Sequence, residues 1–334
     1  MDEIEKKLAI IRNHMREDGC DTLHLRGSDW FSWITAGESN AVLLISETGI
    51  ADIVIDQETA TILSNAIEAP RITQEWRIPH MTVEITPWQE PYKTRHGRIF
   101  SDRPRHNEHR MPQHWYQSRY CLMPEEIIRY QVLGQETASA MREALDLALP
   151  SWSEHMLAGA LADALMKRGI EPGLILAGGQ ERMRAFRHPV PTHSQLGLRT
   201  MLVTCARRGG LYANCTRMHA WSELTQEEKE KRDKVVMLEK VALDASRPGI
   251  QLGAIFDSLA HAYTAIGEKD AINAHHQGGI TGYLSREVIA QSQSPCILKA
   301  GMALAWNPTL SGMKIEDTVL ITPTGTQRIT QDTQ

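Results

Sequence analysis

Apolar and polar positions alternate in short blocks over the first 90 residues of the chain. The opening stretch predicts one amphipathic helix, because its apolar residues recur at helical spacing. Three segments bounded by polar turns follow it and predict strands: TLHL, NAVLLISETGIADIVID and TILSNAIEA. One helix followed by several short strands is typical of a small α/β domain.

After about residue 120 the pattern changes to long helical stretches that are separated from strand-like runs. Pro124 followed by two acidic residues marks a helix start, and Thr225 with Glu228 fits a capping box. Between these two helices, Ser151 or Ser153 fits the N-terminal cap of another helix. The strand-like runs are GLILAG, TMLVTCA, LYANCTRM, MALAWNP and EDTVLITPTG. Because the helices are segregated from strands that look antiparallel, the pattern predicts an α+β domain.

A basic, aromatic stretch at residues 91–120 separates the two patterns. It carries seven Lys and Arg against two Asp and Glu. Such a composition could bind RNA or phosphate, but the basic residues follow neither a helical nor a strand period, which favours a solvated linker. We therefore predict an N-terminal domain over residues 1–120, ending in this linker, and a C-terminal domain over residues 121–334.

The composition of the 334 residues is that of a globular protein, with 42% apolar residues, 23% charged residues and a net charge of -5. No apolar run approaches the roughly 20 residues that cross a bilayer, and the charged N-terminus lacks the layout of a signal peptide. Five scattered cysteines without a CxxC pair indicate reduced thiols. We expect a cytoplasmic protein that binds neither a membrane nor nucleic acid.

Four clusters in the C-terminal part contain residues suited to chemistry. His188 stands before a Pro-Val-Pro turn, where an imidazole can transfer protons, although a plain surface histidine fits the pattern equally well. A predicted hairpin about a Gly-Gly turn puts Asn214 and Thr216 on one face and Cys215 on the other. The last two clusters contain His275, His276, Asn307 and Glu316. Since GxGxxG, GxxxxGK[ST] and GxSxG motifs are absent, dinucleotide, P-loop and serine-hydrolase sites lose their main support.

The order of these clusters resembles the creatinase, prolidase and aminopeptidase P family, which has the pita-bread fold. A loop histidine, a hairpin ending in Thr216-Arg217 and a histidine before a glycine-rich stretch follow that family's order. The segments AGMALAWNP and MKIEDTVLITPTG resemble its last two signatures. The resemblance spans the whole chain and implies a pita-bread catalytic domain preceded by a smaller creatinase-type domain.

The metallopeptidases of this fold hold two metal ions with two aspartates, one histidine and two glutamates, since carboxylates are needed to neutralise two close dications. The resemblance places those five positions at Val203 or Thr204, Asn214, His275, Asn307 and Glu316. Only the histidine and the last glutamate keep side chains that ligate metals well. We therefore expect no metal and no other cofactor.

The site pattern resembles most closely that of creatinase, a metal-free member in which a histidine activates water to cleave a carbon–nitrogen bond. The resemblance implies His188 as the general base. His275 and Asn307 would orient the substrate or polarise its carbonyl, and Glu316 would hold His275 or the water. The resemblance also implies a wider set of substrate-binding residues: Asn214, Thr216, Arg217, His276, Tyr283 and Arg286.

The expected substrate differs from that of creatinase, which holds a guanidinium cation with two glutamates. This chain has the neutral Thr216 and Asn307 at those positions, so a guanidinium would lose two charge-assisted partners. Arginines near the predicted site favour an anionic group instead: Arg182, Arg184, Arg187, Arg207, Arg208, Arg217 and Arg286. We therefore expect a metal-independent hydrolase that cleaves a carbon–nitrogen bond in a small, anionic substrate.

Three alternatives stay open. The chain could be an Xaa-Pro aminopeptidase or dipeptidase with a degenerate metal site, or a non-catalytic protein that binds peptides. Cys205 or Cys215 could act as a nucleophile, although a thiol on a strand usually packs as a small apolar side chain.

The resemblance also implies a partner. Members of this branch form dimers in which the small domain of one subunit covers the site of the other. We therefore expect a homodimer in which residues of the DWFSWITAGES segment line the neighbour's pocket: Trp30, Phe31, Trp33, Glu38 and Ser39.

Overall fold

The computed structural model describes residues 1–93 and 95–331. The chain divides into two compact units, Met1–Arg119 and Tyr120–Gln334. The elements of the first unit are α1 (Glu3–Glu17), β1 (Thr22–Gly27), α2 (Ser28–Ile34), β2 (Thr48–Ile55), β3 (Ala60–Asn65), α3 (Ala69–Glu75), β4 (Thr82–Thr86), β5 (Ile99–Ser101), β6 (His109–Arg110) and a 3-10 helix at Gln113–Arg119. The strands form one sheet in the order β4-β3-β2-β1-β5-β6.

The predicted opening helix is present as α1. The Asp2 side chain caps it by accepting a hydrogen bond from the backbone N–H of Glu5 at 2.9 Å. Ile4, Leu8 and Ile11 lie one turn apart on one face and are buried. The helix therefore forms because its apolar stripe has a core to cover.

Two parts of the first unit differ from the sequence prediction. The apolar run around Leu43 and Ile45 forms no strand, and these side chains are 68% and 97% exposed. Residues 99–119, which we predicted as part of a linker, supply two strands and a helical turn instead. Trp115 is fully buried, and Arg119 pairs with Asp29 at 2.7 Å. The basic, aromatic composition thus serves packing and buried ion pairs.

The second unit contains five α-helices, one 3-10 turn and ten strands within its described residues. Its helices are α4 (Pro124–Leu147), α5 (Glu154–Met166), α6 (Gln180–Ala185), α7 (Gln226–Ala245) and α8 (Leu252–Ala265), with the 3-10 turn at Ala271–Ala274. Its strands are β7 (Glu171–Gly179), β8 (Arg199–Arg208), β9 (Leu211–Ala220), β10 (Gly278–Thr281), β11 (Val288–Ile289), β12 (Ala303–Trp306), β13 (Thr309–Leu310), β14 (Met313–Lys314), β15 (Asp317–Ile321) and β16 (Thr326–Arg328).

The strands of the second unit form two main sheets. One has the order β7-β8-β9, and the other has the order β11-β10-β12-β15-β16. They meet where Thr216 of β9 forms a bridge with Glu316, and where Thr318 donates its hydroxyl to the carbonyl of Asn214 at 3.0 Å. The two sheets thereby bring residues about 100 positions apart to one place.

The hairpin of β8 and β9 forms as predicted. Gly209 and Gly210 have φ values of 56° and 78°, which a tight hairpin turn requires and which glycine adopts without strain. Cys205 pairs directly with Asn214, and Val203 pairs with Thr216. These four side chains therefore share one face of the hairpin.

None of the helices in the described part of the chain is long and apolar enough to cross a membrane.

Candidate active site

His188 lies in the loop between α6 and β8, where the chain bends at residues 187 and 188. Phe186, His188 and Val190 are exposed, whereas Pro189 is buried. The two apolar neighbours are 50% and 63% exposed. His188 therefore reaches solvent, with an exposed apolar residue two positions away on each side along the chain.

His188 contacts His275, which follows the 3-10 turn at Ala271–Ala274. The Nε2 atoms of the two rings are 2.8 Å apart, and Nδ1 of His275 lies against the carbonyl oxygen of His276. A carbonyl only accepts, so Nδ1 of His275 carries the proton and its Nε2, when the ring is neutral, accepts from Nε2–H of His188. These contacts assign the free basic nitrogen of His188 as Nδ1.

The three histidines of this cluster are held in the neutral form. Burial, with the charge of Lys314 next in importance, lowers the pKa of His275 to about 3. Burial and the charge of Arg286 lower the pKa of His276 to about 4. Partial burial and Lys314 also lower the pKa of His188. A neutral His188 is the form that a general base requires.

Glu316 lies beside this cluster and is ionised. Burial opposes its charge, but Lys314 and Arg286 lower its pKa to about 2. Arg286 donates to Oε1 at 2.6 Å, while Thr216 donates to Oε2 at 2.8 Å and the Lys314 ammonium lies 3.3 Å from the same oxygen. The carboxylate is therefore occupied by partners on both oxygens. Of the two roles expected for Glu316, holding His275 is wrong, because His275 is fixed by His188 and His276; holding the water stays a prediction.

The sequence of the second unit decides the family. A model of metallopeptidase family M24 matches residues 129–323, which is more than half of the chain. The chain belongs to metallopeptidase family M24. The predicted family is thus confirmed, and so is the coarser functional prediction, a hydrolase of this family.

Solved structures share this fold over nearly the whole chain. A prolidase from Pyrococcus horikoshii OT3 has a TM-score of 0.84 at 18% identity, covering 98% of this chain and 99% of that chain. An Xaa-Pro dipeptidase from Bacillus anthracis has a TM-score of 0.78 at 15% identity, covering 99% and 98%. The N-terminal domain of a FACT complex subunit from Cicer arietinum has a TM-score of 0.74 at 10% identity, covering 99% and 97%. No curated protein matches the chain. At these identities the likeness shows the fold alone, and it confirms the predicted α+β pita-bread class.

The M24 family implies metal ions, but the side chains of this member do not fit the dinuclear ligand set. Of the predicted ligand positions, Asn214 and Asn307 offer neutral amides. Glu316 has a cation or a hydroxyl on each oxygen. Two dications would have to displace Lys314 and Arg286 from Glu316, and the predicted positions offer no second carboxylate to bridge them. The donor set therefore disagrees with a dinuclear centre.

A single metal ion would have a different set of donors, the three histidines of the cluster. One ring nitrogen from each of His188, His275 and His276 lies within 4.8 Å of the others, so the three could together hold one ion. The charges of Lys314 and Arg286, which act on these rings, oppose a dication at this place.

The register of the hairpin shows the surroundings of the first predicted ligand position, Val203 or Thr204. Thr204 donates its hydroxyl to Leu174, away from the site, and Val203 packs in an apolar cluster. Cys205 is the residue opposite Asn214. Burial raises the pKa of the Cys205 thiol to about 12, and burial likewise raises the pKa of Cys215 to about 12. Both thiols are protonated at neutral pH, which argues against a cysteine nucleophile.

Asn214 and Asn307 each keep a buried side-chain oxygen without a hydrogen-bond partner among the described residues. The orientation of Asn214 is fixed, because Thr281 donates its hydroxyl to Leu284 and therefore accepts from Nδ2 of Asn214 at 3.0 Å. A buried acceptor without a partner lowers stability, so such an atom calls for an explanation. The side-chain oxygens of Asn214 and Asn307 are free to accept hydrogen bonds from a ligand.

One predicted substrate contact, Tyr283, is wrong, and another, Arg217, lies away from the histidine cluster on the wall of a cavity that Lys314 also borders. Arg217 points to the other face of β9, where it pairs with Asp317 at 2.9 Å and donates to the carbonyl of Thr330. Tyr283 is fully buried and donates its hydroxyl to Glu126 at 2.5 Å. Strand alternation puts the Arg217 side chain on the face opposite the Glu316 carboxylate, although it donates to the Glu316 backbone carbonyl at 3.3 Å. The bond to Glu126 of α4 keeps Tyr283 in the core.

The seven predicted arginines do not form a set of free cations. Six of them are neutralised by carboxylates elsewhere in the chain, in the pairs Arg182–Glu154, Arg184–Glu228, Arg207–Glu171, Arg208–Glu136, Arg217–Asp317 and Arg286–Glu316. Arg187 is the one of the seven without a carboxylate partner among the described residues, and burial lowers its pKa. The sequence could not distinguish paired from free arginines, because their partners lie far away along the chain.

The segment predicted to line a neighbour's pocket is largely core. Trp30, Phe31 and Trp33 are at most 1% exposed, and the two tryptophan rings pack edge to face with centroids 5.2 Å apart. Glu38 and Ser39 are partly exposed, and burial raises the pKa of Glu38. Trp33 is therefore unavailable as a pocket-lining residue.

Lys314 was missed by the sequence analysis. It lies on β14, is 5% exposed and pairs with Glu316. A signal was available, since side chains two apart on an extended chain share a face. The segment Lys-Ile-Glu at 314–316 places the lysine beside the glutamate.

The low pKa of His275 predicts acid sensitivity. The pKa of this imidazole is about 3 in the folded chain, against the ordinary histidine value of 6.5. As the pH falls, the imidazole is protonated in the unfolded chain before it is protonated in the folded chain, which favours unfolding. The free energy of unfolding that depends on neutral His275 is therefore fully present above pH 6.5 and is lost as the pH falls toward 3. We expect the urea midpoint to fall between about pH 7 and about pH 4.5, and to fall less in His275→Asn. An equal fall in both proteins would contradict the assignment.

Proposed function

We propose that the chain hydrolyses a carbon–nitrogen bond in a small substrate with an anionic group, using His188 as general base and no dinuclear metal centre. The observation that carries this proposal is the pairing of Glu316 with Lys314 and Arg286, beside a neutral His188–His275 pair. The carboxylate that would serve a metal centre is committed to fixed cations. The histidine pair is poised for proton transfer.

The proposed reaction uses the tautomers of the site. Nδ1 of His188 takes a proton from water, and the hydroxide adds to the carbonyl or amidine carbon of the substrate. The resulting imidazolium then donates that proton to the leaving nitrogen as the carbon–nitrogen bond breaks. His275 positions His188 through Nε2, and the free oxygens of Asn214 and Asn307 accept N–H groups of the substrate. Phe186 and Val190 offer apolar contacts beside the base.

A second candidate function is hydrolysis of Xaa-Pro peptides. It is favoured by the whole-chain likeness to the prolidase of Pyrococcus horikoshii OT3 and the Xaa-Pro dipeptidase of Bacillus anthracis. It would require a metal ion bound to the histidine cluster or a rearrangement around Glu316. A protein that binds peptides without turnover is the remaining possibility.

A substrate panel tests these functions against each other. The panel contains N-acyl and N-carbamoyl amino acids, cationic guanidines and Xaa-Pro dipeptides, each with the purified chain and ammonia or amine release as readout. Turnover of anionic amides or ureides supports the proposal. Turnover restricted to guanidines or to Xaa-Pro dipeptides would overturn the proposed substrate class, and binding without turnover would overturn catalysis.

A further inference from the structure

Two cations and one carboxylate share the buried part of the site. The side chains of Lys314 and Glu316 are 4% and 3% exposed, and that of Arg286 is 10% exposed. Both cations pair with the same carboxylate, Arg286 at 2.6 Å and Lys314 at 3.3 Å. The cluster therefore carries one surplus positive charge.

Two other carboxylates near Glu316, those of Asp317 and Glu239, are paired with cations other than Lys314. Asp317 is held by Arg217 at 2.9 Å and by Arg328 at 3.0 Å. Glu239 pairs with the same Arg328 at 2.6 Å. Within residues 1–93 and 95–331, Lys314 has Glu316 as its ion-pair partner and no other. A buried ammonium with a shared counterion is costly unless a ligand pairs it.

There is room for a ligand beside Lys314, in a cavity that Glu316 and the three histidines do not line. Thr216 and Lys314, the two residues at Oε2, also border this cavity, which has a volume of about 460 Å³. Much of its wall is apolar, with Met183, Met218 and Ile315 among the lining side chains. Its wall also has arginines that are paired with carboxylates: Arg199 with Glu228, and Arg217 and Arg328 with Asp317. The volume falls in the range of small-molecule sites.

We propose that Lys314 is a fixed cation that takes the place of metal charge beside Glu316 and binds an anionic oxygen of a ligand that enters the adjacent cavity. The inference rests on the proposed function, since that ligand is the anionic substrate. It adds a substrate-binding residue and names the ligand as a small carboxylate with an apolar body. Lys314 also keeps divalent cations away from the histidine cluster.

The first test compares butyrate with butyramide, which have nearly the same shape and differ in charge. Binding is measured by isothermal titration on the wild-type chain and on Lys314→Met, Lys314→Arg and Lys240→Met. We expect butyrate to bind better than butyramide, by about 10- to 100-fold. This preference should be lost in Lys314→Met and kept in Lys314→Arg and in Lys240→Met, whose lysine is an exposed control.

The second test uses zinc. Removing Lys314 leaves the Thr216 hydroxyl as the partner of Oε2 of Glu316 and takes a positive charge away from the three histidines. Lys314→Met should therefore bind about one equivalent of zinc more tightly than the wild type. In Lys314→Met the charges of Arg286 and Glu316 still neutralise each other, so the variant should stay folded. Circular dichroism checks this. Equal binding of butyrate and butyramide by the wild type, or unchanged zinc affinity in a folded Lys314→Met, overturns the inference. Neither butyrate binding nor zinc affinity is measured through turnover. The inference about Lys314 can therefore be tested even if the chain fails to hydrolyse the proposed substrates.

Discussion

Replacing His188 with glutamine should lower turnover by about 10²- to 10⁴-fold on the substrate that the panel identifies. The glutamine amide retains an N–H that reaches toward Nε2 of His275, so the local hydrogen bond survives. The substitution removes Nδ1, the nitrogen that takes the proton from water. We expect KM to change little, because the lost group acts in the chemical step.

The matched control is His193→Gln. His193 is an exposed histidine on the same loop, and its ring packs against His155 with centroids 4.8 Å apart rather than against the site. Its replacement should leave turnover unchanged. An active His188→Gln enzyme, with wild-type kcat, would remove His188 from the mechanism.

The second large effect is expected on stability. Replacing Glu316 with glutamine leaves Lys314 and Arg286 buried without their counterion. Breaking a buried ion pair from one side costs about 3 to 5 kcal/mol. We expect the free energy of unfolding of Glu316→Gln to fall by this amount, as measured by urea denaturation at about pH 7.

Glu227→Gln provides the comparison for Glu316→Gln. Glu227 is exposed and pairs with Lys231 one turn along α7, so its loss should have little effect on the free energy of unfolding. If the free energy of unfolding falls equally in the two variants, the ion pairs of Glu316 with Lys314 and Arg286 do not stabilise the fold as proposed.

Local features of the fold were predictable from the sequence. Ser153 caps α5, and Thr225 with Glu228 forms the capping box of α7, because each cap needs only residues within one turn. The Gly209-Gly210 turn is equally local. The exposed run near Leu43 was not predictable, since its apolar composition alone suggests a strand.

The candidate site was only partly predictable. His188 and His275 are 87 positions apart, and the resemblance to a family, not their local pattern, pointed to both. The ion pair of Glu316 with Arg286 likewise joins distant segments. Trp33 and Tyr283 were assigned to a pocket although their aromatic rings were needed for the core. Contacts between distant elements decide these roles, and the residue type alone does not.

The central claim is that this member of family M24 works through His188 and fixed cations rather than through a dinuclear metal centre. The most direct measurement is turnover of chelator-dialysed protein, with its zinc, manganese, iron and cobalt content determined on the same sample. We predict full turnover with near-zero bound metal, and no gain when metals are added back. Turnover that disappears on dialysis and returns with about two equivalents of metal would contradict the account.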